Sequence, residues 1–206
     1  MAAFVIALLG AESTGKTTLA QALCGALAVD GHKVAVVGET LREFCEVHGR
    51  TPRREEQRPI ADTQALRIEA AAHDHDIVIA DTTALMIAVY SDQVFGDTGL
   101  YDAALASHAR CDLTLLMALD LPWQADGLQR DGPQAREPVD TLVRAALQRA
   151  GSAFSVVSGQ GPARLTAALA CVRRAMTPPD PATRWRWVCE RCGDGQCERH
   201  VLLPRA

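Results

Sequence analysis

The chain has 206 residues, 48% of them hydrophobic and 4% aromatic, with a formal net charge of −4. That length supports one domain with a sizeable core plus a small appendage; the charge carries no global nucleic-acid signature, and no apolar run approaches the ~18 residues of a membrane span. No basic stretch precedes the first apolar run, so the N-terminus reads as a core strand rather than a signal peptide, and a cytoplasmic location is expected.

Taken in chain order, apolar runs alternate with helix-competent ones. Strands are expected near 3–9, 33–38, 76–81, 113–119 and 153–157, and helices near 16–29, 40–48, 59–74, 84–94, 99–109, 138–150 and 161–176. Runs such as Lys33–Gly38 and Asp76–Asp81 are short, β-branched and continuous, the mark of parallel strands covered on both faces. The alternation predicts an α/β fold, a doubly wound and mostly parallel five-stranded sheet that binds ligands beyond the carboxyl ends of its strands. Residues 1–176 read as this domain. Pro178, Pro179 and Pro181 mark 177–183 as a linker, and 184–206 form a tail of different composition.

The first strand runs into Gly10-Ala-Glu12-Ser13-Thr14-Gly15-Lys16-Thr17, a full G-x-x-x-x-G-K-[ST] match followed by a helical stretch that opens at Thr18. Gly10 and Gly15 let the loop wrap with its N–H groups inward, and the helix N-terminus adds positive potential behind the same phosphates. Lys16 can reach the β- and γ-phosphates of ATP, and the Thr17 hydroxyl can ligate Mg²⁺. Lys16 and Lys33 are the only lysines among 21 basic residues, so a chain that rarely uses lysine has placed one here. The nucleotide is expected on Gly10, Glu12, Ser13, Thr14, Gly15, Lys16, Thr17 and Thr18.

The other strand ends also carry polar groups. Asp81 closes the third strand in the manner of a Walker B aspartate that holds Mg²⁺, or else it caps the next helix. Glu39 ends the second strand, placed to take a proton from an acceptor hydroxyl or to bind hydroxyls without chemistry. Arg42 shares its helical face and can hold a substrate phosphate or pair with Glu39. Asp120 with Pro122 and Trp123 ends the fourth. The polar stretch 124–137 contains two glycines and looks like a lid whose Arg130 and Arg136 can close over a transferring phosphoryl group. The charge-rich stretch Arg50–Arg58 reads as a solvated loop, with contact to an anionic substrate as the alternative.

These residues together resemble the ribosylnicotinamide kinase domain of the NadR type among the P-loop kinases, a family that also has ATPase-like members. The resemblance rests on residues 10–17, Glu39-Thr-Leu-Arg42, Asp81-Thr82-Thr83, Tyr90-Ser91 with Phe95-Gly96, and Leu121-Pro-Trp123-Gln-Ala-Asp126-Gly127-Leu-Gln-Arg130. It spans about residues 3 to 175. It implies ATP-dependent phosphorylation of the 5′-hydroxyl of nicotinamide riboside in NAD biosynthesis. In that scheme Asp81 is a Mg²⁺-linked or catalytic carboxylate, and Glu39 and Arg42 lie on the substrate side. Trp123 and Asp126 shape the site beside the lid, Arg130 and Arg136 are lid arginines, and Trp123 or Tyr90 can stack on a cationic ring. Thr83 stands where the family often has a second aspartate, and no adenylyltransferase or repressor segment precedes the kinase-like region.

Seven cysteines divide into two groups. Cys24, Cys45, Cys111 and Cys171 are expected as small buried hydrophobes. In the tail, Cys189-x₂-Cys192-x₄-Cys197-x₂-His200 has the spacing of a tetrahedral Zn²⁺ site, with reduced unliganded cysteines as the alternative. Such a site suits structure, oligomer formation or partner docking rather than catalysis.

The sequence thus supports a small-molecule kinase acting on a nucleoside-like acceptor. The alternative is a P-loop ATPase, or a nucleotide-dependent regulatory or partner-binding module. Neither the N-K-x-D and D-x-x-G motifs of a GTPase nor the L-S-G-G-Q signature of a transporter ATPase occurs.

Overall fold

A computed structural model describes residues 3–124 and 132–177. Residues 1–176 form one compact unit. The tail with Cys189, Cys192, Cys197 and His200, and the lid positions Asp126 and Arg130, lie outside the described residues.

Five strands form one wholly parallel sheet: β1 Phe4–Leu9, β2 Val34–Val37, β3 Ile77–Asp81, β4 Leu113–Met117 and β5 Ser155–Val157, in the spatial order β2-β3-β1-β4-β5. Among the described residues, seven helices accompany them: α1 Lys16–Val29, α2 Thr40–His48, α3 Arg54–Asp74, α4 Ala84–Phe95, α5 Tyr101–His108, α6 Arg136–Arg149 and α7 Gly161–Met176. The five expected strands appear, each trimmed by one to a few residues, and α1, α2 and α7 have the expected limits. Because side chains alternate along a strand, Ile6 and Leu8 of β1 pack with Leu19, Leu23 and Leu27 of α1 and Val172 of α7. Leu9 joins the opposite layer, with Leu85 and Val89 of α4 and Val143 and Leu147 of α6. Ala84 through Val89 are all buried, so α4 is sealed on every side over one and a half turns.

Two helices begin earlier than expected. The helix expected near 59–74 begins at Arg54, with Pro59 inside it. A capping contact outweighs the one backbone donor that proline lacks: Glu56 Oε2 accepts from the Arg53 N–H at 2.7 Å. Glu56 also takes both guanidinium ends of Arg50 at 2.7 Å, and these bonds hold its carboxyl down at about 2. The stretch Arg50–Arg58 is therefore an ordered helix entry rather than a loop. The helix expected near 138–150 begins at Arg136, after a short 3₁₀ turn over Pro133–Ala135.

Register brings the site together. Leu8 pairs with Asp81 and Leu9 with Leu116, so β1, β3 and β4 end side by side where the glycine loop begins. Gly10 leaves β1 at φ +146°, a conformation L side chains rarely adopt, and a Cβ there would stand 3.0 Å from Cβ of Met117. Among the described residues, no helix is long and apolar enough to cross a membrane, and the four cysteines are free, with Cys45 fully buried.

Candidate active site

The glycine loop is closed on itself. Lys16, 8% exposed, donates from Nζ to the carbonyls of Gly10 at 2.8 Å and Ala11 at 3.0 Å. Thr14 Oγ1 donates to the Ala11 carbonyl at 2.7 Å. Gly15, at φ +77°, precedes α1 without offering any side-chain cap, so the first N–H groups of α1 are left for a ligand. Burial pulls the Lys16 ammonium below the usual lysine range, and the carboxylates of Glu39 and Asp81 work against that shift.

Asp81, 3% exposed, accepts from Thr17 Oγ1 at 2.5 Å through Oδ2, while its Oδ1 is buried without a hydrogen-bond partner among the described residues. A hydroxyl and a carboxylate side by side, one carboxylate oxygen still unsatisfied, is a donor set that suits a hard divalent cation. Glu39 is buried at the N-terminus of α2, 3.4 Å from Nη2 of Arg42. Burial pushes its carboxyl above the usual carboxylate range, against the pull of Lys16 and Arg42.

Two cavities meet at the loop. The first is lined by Ser13, Thr14, Gly15, Lys16, Thr17 and Thr18, together with Leu121, Pro122 and Gln160. The second adjoins Glu12, Ser13, Lys16, Glu39 and Arg42 and extends to Leu41, Cys45, Tyr90 and Phe95. Ser13, Lys16 and Arg42 border both.

Most of the expected site residues therefore converge, and three sit differently. Glu12 faces the second cavity rather than the phosphate side. Arg136, expected as a lid arginine, is instead 8% exposed in the first turn of α6, where Nη1 donates to the Leu121 carbonyl at 2.9 Å. Trp123 is half-buried and lines neither cavity. Thr83 caps α4 by accepting from the Leu85 N–H at 3.3 Å and bonds His108 at 3.3 Å, so it serves the core rather than standing in for a metal carboxylate. His108 also bonds Thr114 at 3.0 Å, and burial holds its pKa down at about 4.

Three residues that sequence reading passed over organise the site. Gln64, fully buried on α3, accepts the Thr40 N–H at 2.8 Å and donates to the carbonyls of Gly38 at 3.1 Å and Thr82 at 3.3 Å. It thereby ties the backbone beside Glu39 to the backbone beside Asp81, at a point where Thr82 has φ +86°. Arg164, 4% exposed on α7, donates to the Thr14 carbonyl at 3.1 Å and to Asp120 Oδ1 at 2.8 Å; the other oxygen of Asp120 accepts the Gly159 N–H at 2.6 Å. Gln57 lines the second cavity. The available signal was periodicity: Gln57, Ile60, Ala61 and Gln64 form the buried stripe of α3, and Arg164, Ala168 and Val172 that of α7. Polar residues on an apolar stripe need partners. Gln64→Leu orphans two buried backbone groups, the Thr40 N–H and the Thr82 carbonyl, and removes the bond to the more exposed Gly38 carbonyl; it is expected to cost roughly 3 kcal/mol in urea unfolding. A loss below about 0.5 kcal/mol would show that the three bonds contribute nothing.

The sheet order, the glycine loop and the buried lysine and aspartate beyond the strand ends define an α/β P-loop nucleotide-binding protein. The chain belongs to the AAA domain family, whose sequence model matches residues 5–164. Its fold is similar to that of NadR protein, seen in a crystal structure in complex with NR, with a TM-score of 0.69 at 19% identity. That match covers 84% of this chain and 50% of the other, so the chain spans about half the length of NadR protein. It is also similar to deoxyadenosine kinase from M. mycoides with dCMP and dCDP bound (TM-score 0.59, 12% identity, 83% of this chain and 100% of the other). A third likeness is to thymidylate kinase from Ehrlichia chaffeensis (TM-score 0.59, 15% identity, 84% and 99%). No curated protein sequence matches.

Proposed function

We propose that the protein is an ATP-dependent kinase that transfers the γ-phosphoryl group to the hydroxyl of a nucleoside, with nicotinamide riboside as the acceptor and nicotinamide mononucleotide as the product. The observation that carries this reading is the pair of cavities joined at Lys16: the first suits a nucleoside triphosphate, and the second is lined by the buried Glu39 carboxylate together with apolar side chains. A switch or hydrolase needs no second cavity at the phosphate end. The likeness to NadR protein with NR bound supports the choice of acceptor.

In this reading the N–H groups of the loop and of α1 hold the phosphates, and Lys16 exchanges its two carbonyl contacts for phosphate oxygens. Thr17 and Asp81 would hold Mg²⁺, which when bound would neutralise charge on the phosphates. Glu39 orients the acceptor hydroxyl and takes its proton. Arg42, already beside Glu39, offsets negative charge at the junction of the cavities. Arg130 remains a candidate lid cation, and Arg136 acts through the Leu121 carbonyl on the wall of the ATP cavity.

ADP formation measured with and without added nucleoside tests the proposal. Nicotinamide riboside should raise ADP formation at least tenfold, with one mononucleotide formed per ADP. Hydrolysis indifferent to nicotinamide riboside, to other nucleosides and to sugars would instead identify a nucleotide-dependent module. The Cys189, Cys192, Cys197 and His200 set is a separate proposal, tested by metal analysis of protein never exposed to chelator: less than about half an equivalent of zinc counts against it.

A further inference from the structure

The second cavity is chemically graded. Its charged residues, Glu12, Lys16, Glu39 and Arg42, belong to the glycine loop, the first residue of α1 and the N-terminal turn of α2. Its remaining wall is largely apolar, from Leu41 and Cys45 on α2, Pro52, and Tyr90, Val94 and Phe95 on α4. Gln57 is set into that wall from the buried stripe of α3. It is 4% exposed, and its Oε1 is buried without a hydrogen-bond partner among the described residues. A buried amide oxygen left unsatisfied forfeits its hydration without compensation, so the position calls for a partner. Gln64, two helical turns along the same stripe, has three partners within the protein.

We propose that Gln57 is the residue that reads the base of the acceptor, selecting one that presents an N–H donor and an acceptor atom side by side, as a primary carboxamide does. The inference rests on the kinase reading above. A nucleoside whose hydroxyl lies at Lys16 and Glu39 puts its base toward the apolar wall, where Gln57 sits. A glutamine amide offers one acceptor and two donors in a single plane. A carboxamide satisfies both ends of it, and turning either amide over leaves the match intact. A carboxylate in the same place offers acceptors only and leaves Oε1 unpaired against negative charge. A site built around a hydrogen bond rejects the analogue that lacks it more strongly than an apolar pocket does, because its own polar group is then stranded.

The test is kcat/KM for nicotinamide riboside and for its carboxylate analogue, nicotinic acid riboside, in the full chain with saturating ATP. The wild type should favour the carboxamide by roughly 10- to 100-fold. Gln57→Leu should bring the two substrates within about threefold by losing activity on the carboxamide, with KM for ATP unchanged. Gln57→Glu, nearly the same size, should keep the carboxamide as substrate and reject the carboxylate further. If the wild type turns over both substrates equally, or Gln57→Leu leaves their ratio within twofold of the wild-type value, the assignment of Gln57 is overturned and the kinase reading stands. If the wild type neither binds nor phosphorylates any nucleoside in direct binding and turnover assays, both are overturned.

Discussion

Lys16→Ala should lower turnover of ATP by roughly three orders of magnitude while leaving the protein at least as resistant to urea as the wild type. The two halves of this expectation have one cause. The ammonium is buried, and two backbone carbonyls take the place of water around it. That burial lowers its pKa. Below the lowered pKa the folded state must carry a desolvated charge that the unfolded chain keeps in water. The sign is therefore that Lys16 weakens folding at neutral pH, and this cost fades as pH rises toward the ordinary lysine value. The nearby carboxylates of Glu39 and Asp81 recover part of it. What Lys16 supplies instead is a charge held ready for phosphate, which an alanine cannot replace. The measurements are single-turnover ADP formation and an equilibrium urea curve, with ATP added in a second series. The wild type should gain stability from ATP and the variant should gain little. A variant that melted several degrees lower without nucleotide would place the loss in folding rather than in phosphate binding.

Glu39→Gln is expected to reduce phosphoryl transfer by about 10²-fold while ATP still binds. The pH dependence gives the sharper readout. Burial raises the Glu39 pKa, so its carboxylate form, the one able to take a proton, appears only above the normal carboxylate range. Activity should rise with pH along a limb displaced upward from that range, and the limb should vanish in the glutamine variant. Stability should move the opposite way. A carboxyl whose folded pKa is raised favours the native state below its unfolded pKa and loses that advantage as pH rises through the folded value. Glutamine mimics the protonated form, so the variant should match the wild type in acid and exceed it in unfolding midpoint at pH 8. A nucleotide-dependent switch would keep most of its basal hydrolysis in this variant. An acid limb that persisted unchanged would remove Glu39 from proton transfer.

The fold was legible in the sequence because its signals are local. Apolar runs such as Asp76–Asp81 mark strands covered on both faces, and residues 10–17 carry their chemistry in their own spacing: glycines at the sharp backbone angles, a lysine and a threonine one step into a helix. Asp81 and Glu39 could be singled out because a polar residue that closes an apolar strand of a parallel sheet faces the ligand edge. The glutamines of α3 were not, since a glutamine within a 21-residue helix reads as surface until it is known which face is buried. Arg164 remained hidden because its partners, Thr14 and Asp120, lie 150 and 44 residues away.

Residues 10–17, the strand and helix pattern and the strand-end carboxylates were thus determined by the sequence by itself, since each depends on neighbours within a few positions. Only the tertiary structure decided that Glu12 faces the second cavity, that Arg136 is buried against Leu121, that Thr83 belongs to the core, and that Gln57 and Gln64 share a stripe yet differ in having partners. These depend on the order β2-β3-β1-β4-β5, which sets strand ends from distant parts of the chain side by side, and on which helix face that order buries. Burial decides whether a polar side chain must find a partner, and it is a property of the assembled layers rather than of any short segment.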